Sequence, residues 1–352
     1  MSDYLSGLIK SSGNKFASLV SDGLDGSDVT GYVNTGCYIL NALLSGSMYK
    51  GIPNNKILAL GGETSTGKTF FALGIVSKFL EDNADSIVLY FDSEQAVTSD
   101  MFKGRGIDPT RIAVFPVSTV EEFRHQVITI VDNHLAQPES KRKQILIVLD
   151  SLGMLSTSKE ITDTAEGKET KDMTRAQLIK GTFRVLTVKL GVANIPMILT
   201  NHTYQSMGSM YPTAELSGGQ GLKYAASTIL LLSKRKDKID NEVVGNIIHC
   251  KLYKSRLTKE NKVVDVQLNY DTGLNQYFGL IELALKHGIF KKVSTRIELP
   301  DGTTAFEKTI NENPTKYFTA SVMENLEKAA AKEFLYGSDT AEEVIEDTKD
   351  KK

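Results

Sequence analysis

The chain has 352 residues, 24% of them charged and 41% hydrophobic, and a formal net charge of −2. No apolar run approaches the roughly 20 residues of a membrane-spanning helix, so we expect no membrane partner. The two cysteines, Cys37 and Cys250, form neither a disulfide framework nor a C-x-x-C pair, which favours a reducing, cytoplasmic compartment. The net charge offers no general attraction for a polyanion, so local features would have to hold one.

The pattern along the chain divides it into four parts. Residues 1–30 contain a short amphipathic stretch followed by a Gly/Asp/Ser-rich break, which indicates an arm outside the core. Residues 31–270 alternate apolar β-type runs with helical periodicity, and residues 271–336 form a smaller C-terminal α/β module. Residues 337–352 are charged and poor in apolar side chains, so we expect a disordered tail. The alternation predicts an α/β fold, a mostly parallel sheet with helices on both faces. The predicted strands are 86–92, 112–117, 144–150, 197–201, 227–232 and 246–252.

The first chemical motif is Gly62-Glu63-Thr64-Ser65-Thr66-Gly67-Lys68-Thr69, which reads G-x-x-x-x-G-K-T. It follows the apolar run 57–60 and begins a helical stretch over 70–80, the strand–turn–helix context of a phosphate-binding loop. Backbone N–H groups of residues 62–69 would surround the phosphates of a nucleoside triphosphate, and Lys68 would reach the β and γ oxygens. The Thr69 hydroxyl would ligate Mg²⁺. The motif predicts a nucleoside triphosphate and Mg²⁺ as cofactors.

Two carboxylates follow the next apolar strands. Asp150 ends the run Gln144–Asp150 and is the expected acidic partner of Thr69 in holding Mg²⁺. Glu94 follows the strand that ends at Asp92, and ligands of open α/β sheets collect at such strand ends. Glu94 could therefore polarise an attacking water.

Two other nucleotide-binding families are excluded by motif order and spacing. Residues 216–220 spell LSGGQ, an ABC-transporter signature, but in that family it precedes the Walker B strand, whose Asp is followed by Glu. Here it follows Asp150, and the next residue is Ser151. The guanine-reading N-K-x-D of GTPases is absent, since Asn261 and Asp265 have the wrong spacing.

The ordered set of motifs resembles RecA-type recombinases, above all those of T-even-type phages. The resemblance covers about residues 30–290 and includes the phosphate-binding loop, the strand ends 90–94 and 147–153, and the segments 172–176, 201–204 and 217–227. It implies that Glu94 activates water and that His202 senses the γ-phosphate. It also implies that Lys254 and Arg256 reach the ATP of a neighbouring protomer, and that the N-terminal arm packs on an adjacent subunit.

The same resemblance implies two DNA-binding loops, over about 156–171 and 203–219. Loop 2 has Glu215 as its only charge, so contact would come from backbone N–H groups and from apolar or aromatic side chains against bases. The residues expected to contact DNA are Arg175, Arg184, Tyr204, Met207, Met210, Tyr211, Gly218 and Gly219. Where relatives place an aromatic residue near adenine, this chain offers Met101 or Phe102.

The activity implied is that of a DNA-dependent ATPase that forms helical filaments on single-stranded DNA and catalyses homologous pairing and strand exchange. Its partners would be single-stranded DNA, a homologous duplex, further copies of itself, and single-strand-binding and loader proteins. Two alternatives stay open: a hexameric RecA-fold motor or helicase, and a filament or mediator protein that uses ATP without catalysis.

Overall fold

The computed structural model describes residues 2–14, 17–24, 26–168, 174–205, 214–217, 220–239, 242–270 and 272–337. The chain begins with helix α1, strand β1, helix α2 and strand β2, at Ser2–Ser12, Tyr32–Val33, Tyr38–Ser45 and Ile52–Pro53. The first half of the main sheet and its helices follow as β3 (Ile57–Gly62), α3 (Lys68–Asp82), β4 (Ser86–Asp92), α4 (Ser99–Lys103), β5 (Ile112–Pro116), α5 (Val120–Ala136) and β6 (Gln144–Asp150).

The second half contains the segments predicted to meet DNA. In order, the elements are α6 (Ser158–Ala165), α7 (Arg175–Ala193), β7 (Met197–Gln205), β8 (Ala214–Leu216), α8 (Gln220–Ala225), β9 (Thr228–Ile239), β10 (Glu242–Ser255), β11 (Val263–Asn269) and β12 (Gly273–Leu274). The predicted strands are confirmed, and β7, β9 and β10 run beyond their predicted bounds.

One large sheet organises these elements. Its order is β12-β11-β10-β9-β3-β7-β6-β4-β5, and β8 pairs with β7 alone. The pairs from β9 through β3, β7, β6 and β4 to β5 are parallel, whereas β9 to β12 are antiparallel. The carboxyl ends of β3, β4, β6 and β7 therefore meet at one edge, where ligands of α/β sheets bind.

Both faces of this sheet are covered, which explains its apolar strands. In β3, Leu58 and Leu60 join a core that includes α2 and α3, while Ile57 and Ala59 join a second core that includes α5 and α7. Side chains of a strand alternate between the two faces, so a strand covered on both sides is apolar throughout. This confirms the predicted α/β class.

Among the described residues, no helix has the length and apolar character needed to cross a membrane.

The C-terminal module packs on the first of these cores. It contains α9 (Leu280–Lys286), β13 (Lys291–Val293), β14 (Arg296–Glu298), β15 (Thr304–Ala305), α10 (Glu307–Glu312), α11 (Pro314–Tyr317) and α12 (Ala320–Phe334). Leu326 and Phe334 of α12 belong to the same cluster as Leu40 and Leu43 of α2. The division of the chain at residue 271 remains a prediction, because the apolar contacts are continuous across it.

A cluster of charges fixes α12 to α9 and to Lys262, the residue before β11. Glu333 accepts from the ammonium groups of Lys262 at 2.5 Å and Lys286 at 2.7 Å, and His287 Nε2 lies 3.4 Å away. Burial acts to raise the pKa of Glu333, but the hydrogen bonds from Lys262 and Lys286 outweigh it and lower the pKa from 4.5 to about 2. The charged form of Glu333 therefore stabilises the folded chain.

We expect Glu333→Gln to lower the thermal midpoint at pH 7. The depressed pKa corresponds to about 3 kcal/mol of stability, present above pH 4.5 and lost as pH falls through about 2. The difference between the two proteins should therefore shrink between pH 4.5 and pH 2 in thermal unfolding followed by circular dichroism. Glu324→Gln is the matched control, because that exposed residue of α12 pairs, among the described residues, with exposed Lys328 alone. A pH-independent difference would contradict the assignment.

Candidate active site

The phosphate-binding loop joins the end of β3 to the start of α3. Ser65 and Gly67 take left-handed backbone conformations, with φ of 60° and 94°, which curl the loop toward the helix N-terminus. The Lys68 side chain is buried and donates to the carbonyl oxygens of Gly62 and Glu63, at 2.9 Å each. Burial lowers the pKa of the Lys68 ammonium, while Glu94 and Asp150 act in the opposite direction. The ammonium thus lies over the loop that would receive phosphates.

Asp150 collects hydroxyl groups from three neighbouring elements. Its Oδ2 accepts from Thr69 Oγ1 and from Tyr90 Oη, at 2.7 Å each, and its Oδ1 accepts from Thr200 Oγ1. Burial, and then the Asp150 carboxylate, raise the pKa of Tyr90 well above its usual value, so the phenol remains a donor. Three donors hold the carboxylate of Asp150 in one orientation, against Thr69.

The adjacent oxygens of Thr69 and Asp150 fit Mg²⁺. Magnesium prefers hard oxygen ligands and is usually held by one or two carboxylates together with substrate phosphates and water. In the described part of the chain, no group of three or more His, Cys, Asp or Glu side chains could hold a metal by itself. A site with one carboxylate and one hydroxyl therefore needs the phosphates of a nucleotide to complete it.

Glu94 and His202 meet between the ends of β4 and β7. Glu94 Oε1 accepts from Ser151 Oγ at 2.7 Å and lies 3.2 Å from His202 Nε2. Both side chains are about 30% exposed. In the parallel register of β3 and β7, His202 stands opposite Gly62 at the start of the phosphate-binding loop. A carboxylate and an imidazole thus share one contact beside that loop.

Backbone and side-chain hydrogen bonds at Asn201 and His202 connect this site to the last described part of loop 2. The Ser217 amide donates to the His202 carbonyl at 3.0 Å, and the Asn201 amide side chain donates to the Ser217 carbonyl at 2.6 Å. Leu216 lies over Gly61 of β3, where a Cβ would meet the Leu216 side chain at 2.5 Å. The end of loop 2 is therefore fastened to β3 and β7. Sequence reasoning missed Asn201, although it directly precedes His202 in a motif already singled out.

Comparison with known proteins identifies the family. The RecA N-terminal domain model matches residues 11–275. The recombination and repair protein of Enterobacteria phage T4 is 32% identical over 294 residues, 83% of this chain and 73% of the phage protein. Protein RecA of Paracoccus denitrificans is 28% identical over 249 residues, 69% of this chain and 65% of that protein. Protein RecA of Mycoplasmopsis pulmonis is 27% identical over 261 residues, 74% of this chain and 73% of that protein.

The chain belongs to the RecA family. This membership confirms the resemblance seen in the sequence motifs, and the RecA-like core accounts for the parallel sheet. Five of the residues predicted to contact DNA lie outside the described ranges. They are Met207, Met210, Tyr211, Gly218 and Gly219.

The described DNA-binding candidates of this RecA-family chain differ in how freely they face solvent. Tyr204, in β7, is 53% exposed, and Arg184 lies on the exposed side of α7. Arg175, by contrast, donates to the carbonyls of Leu155 at 2.8 Å and Gly153 at 2.9 Å. Its guanidinium therefore holds the turn that follows Asp150, a structural role in the isolated protomer.

The two predicted interface cations of the RecA-family chain lie together at the end of α8. Lys254 Nζ donates to the carbonyls of Ala226 at 2.8 Å and Lys223 at 2.5 Å. Arg256 donates to the Tyr224 carbonyl at 3.3 Å. A register shift in β10 between Leu252 and Lys254 turns Lys254 to this side of the sheet. Burial and the charge of Arg256 lower the pKa of Lys254.

One expected adenine contact is corrected by the structure. Phe102 is 4% exposed and packs edge-on against Tyr90, with ring centroids 5.8 Å apart. Its ring belongs to the core and cannot receive a base, because α4 turns this residue toward the sheet. Met101, one position earlier, is only partly buried.

Proposed function

We propose that the chain is an ATP-dependent recombinase that assembles as a helical filament on single-stranded DNA. In that filament it catalyses homologous pairing and strand exchange in recombination, repair and recombination-dependent replication, in the cytoplasm. Its partners are single-stranded DNA, a homologous duplex and further copies of itself. The names of its relatives, protein RecA and a phage recombination and repair protein, support this role.

The observation that carries the proposal is the continuous contact between the phosphate-binding site and loop 2. Glu94 contacts His202, and the His202 carbonyl holds Ser217 at the end of loop 2. A group that alters the position of His202 therefore acts directly on the backbone of that loop. Such a contact gives nucleotide binding a route to DNA affinity, as a filament that binds and releases DNA requires.

In the mechanism we infer, ATP is the substrate and water attacks its terminal phosphate. Lys68 leaves the loop carbonyls for the phosphate oxygens, and Glu94 accepts a proton from the attacking water. Ser151 and His202 orient the Glu94 carboxylate. Thr69 and Asp150 would hold Mg²⁺, which when bound neutralises charge on the phosphate oxygens.

Lys254 and Arg256 of one protomer take part in hydrolysis of the ATP bound to its neighbour. In the isolated protomer both cations donate to carbonyls around the C-terminus of α8, which follows loop 2. When they turn to a neighbour's γ-phosphate, these carbonyls lose their donors and α8 is released. Filament contact, hydrolysis and loop 2 are thereby coupled.

Electron microscopy with single-stranded DNA and a non-hydrolysable ATP analogue tests the assembly. We expect helical filaments that require both ligands. Closed rings would favour the hexameric motor instead, and the absence of any nucleotide-dependent assembly would contradict the proposal.

We expect Glu94→Gln to keep ATP binding but to lower DNA-stimulated turnover by about 100-fold, because glutamine cannot accept the proton. Phosphate release measures turnover, and titration calorimetry measures binding. Glu312→Gln is the control, since it removes an exposed charge of α10 far along the chain from the site. Unchanged turnover in Glu94→Gln would remove Glu94 from the chemistry and favour the non-catalytic filament protein.

A further inference from the structure

The ends of β4 and β6 lie side by side at the carboxyl edge of the sheet. Their parallel register places Asp92 opposite Asp150, the last residue of each strand. Glu94 follows β4 by two residues, and Thr69 contacts Asp150. The position of the Glu94 carboxylate relative to the metal-binding pair therefore depends on what joins these two strand ends.

Ser93 joins the two strand ends beyond their last pair. Its hydroxyl donates to the Ser151 carbonyl at 2.7 Å and accepts from the Ser151 amide at 2.8 Å. Its own amide donates to the Asp150 carbonyl at 2.9 Å. Because Ser151 is buried, loss of the Ser93 hydroxyl would leave the Ser151 amide without this acceptor, which is costly away from water. One serine thus holds two consecutive residues at the end of β6.

Ser151 connects this arrangement to the side chain of Glu94. Its hydroxyl donates to Glu94 Oε1 at 2.7 Å, and hydrogen bonds to a carboxylate are among the stronger ones. The main chain of Glu94 is fixed separately, because its amide donates to the buried carboxylate of Asp92 at 3.0 Å. That backbone bond does not restrict rotation of the Glu94 side chain, whereas the contacts with Ser151 and His202 do. The position of Ser151 therefore decides where the Glu94 carboxylate points.

We propose that Ser93 is a positioning residue for ATP hydrolysis: it fixes Ser151, and through Ser151 it fixes the direction of the Glu94 carboxylate. The inference rests on the proposed role of Glu94 as the acceptor of a proton from water, and it adds a residue that acts through another. A general base must lie within hydrogen-bond reach of the proton that it takes. A misplacement of about 1 Å can cost roughly 100-fold in rate.

The test measures phosphate release on single-stranded DNA and ATP binding by titration calorimetry, on the full chain with Mg²⁺. Ser93→Ala should lower kcat about tenfold at saturating ATP and leave the dissociation constant for ATP unchanged, since no group of the phosphate-binding loop is removed. Ser93→Thr keeps a hydroxyl at this position and should retain most of the turnover. Ser140→Ala is the matched control, because that exposed serine lies between α5 and β6, at the opposite end of the strand.

A double-mutant cycle with Glu94→Gln distinguishes positioning from a merely structural role. Ser93→Ala should change the residual turnover of the Glu94→Gln protein by less than about twofold, because the base that it positions is gone. The same tenfold loss in both backgrounds would overturn the proposal, and so would wild-type kcat in Ser93→Ala. If Ser93→Ala does not fold, Ser93→Cys takes its place in the cycle, since a thiol is a weak donor and a weak acceptor.

The same measurements show separately whether the proposed function fails. Unchanged turnover in Glu94→Gln alone would overturn the role of Glu94, and with it the basis of the inference. A tenfold slower Glu94→Gln protein that is slowed equally again by Ser93→Ala would leave ATP hydrolysis by Glu94 intact and remove only Ser93 from it.

Discussion

A Lys68→Ala protein should lose ATP binding and, with it, ATP-dependent assembly on single-stranded DNA. The ammonium of Lys68 already lies over the phosphate-binding loop, donating to the carbonyls of Gly62 and Glu63. Alanine removes the one buried cation of the loop, and hydrogen bonds from a charged donor to phosphate oxygens are the strong ones. We expect ATP affinity to fall on the order of 100-fold or more, measured by titration calorimetry.

Two controls show whether a loss of ATP binding comes from the missing Lys68 ammonium and not from loss of any lysine or from unfolding. Lys328→Ala removes an exposed lysine of α12 and should bind ATP as the unchanged protein does. Thermal unfolding of Lys68→Ala should remain cooperative, because Lys68 stabilises only the loop carbonyls. Wild-type ATP affinity in a folded Lys68→Ala protein would show that residues 62–69 are not the nucleotide site.

The strands best predicted from the sequence are those buried on both faces. β4 and β6 match their predicted bounds to the residue, because an apolar run between polar residues is unambiguous there. β9 and β10 extend past prediction, since residues 233–239 are almost all polar and give no sign of burial. They pair with each other as a ribbon, Lys234 opposite Ile248 and Lys236 opposite Asn246, and backbone hydrogen bonds suffice for that.

The sequence predicts which residues form the candidate site but not the hydrogen bonds that join them. Glu94, Asp150 and Lys68 follow from motif and strand position, and parallel strands bring them to one edge. Two of the three hydroxyl donors of Asp150, Tyr90 and Thr200, lie about 50 to 60 residues away in the chain, and no local pattern marks them. Such contacts depend on the strand order in the sheet, which cannot be read from local sequence patterns. The buried position of Phe102 likewise depends on which side α4 turns to the core.

A Lys254→Ala/Arg256→Ala protein should bind ATP normally but lose DNA-stimulated hydrolysis. Cations that act on a neighbour's γ-phosphate, as an arginine finger does, accelerate turnover by about 10³-fold or more. Neither side chain contacts its own phosphate-binding loop in the described structure; both donate to carbonyls near the end of α8. Phosphate release with and without single-stranded DNA measures the effect, and calorimetry confirms that nucleotide still binds.

Mixing this double variant with Lys68→Ala distinguishes action on a neighbour from action within one subunit. At a junction between the two proteins, the intact phosphate-binding loop of one faces the intact cations of the other, so part of the hydrolysis should return. The Lys68→Ala protein must still enter mixed filaments, which co-sedimentation with DNA establishes. Given that control, no recovery at any mixing ratio would mean that Lys254 and Arg256 only hold α8 within their own protomer. Recovery would instead show that each ATP is hydrolysed by two subunits.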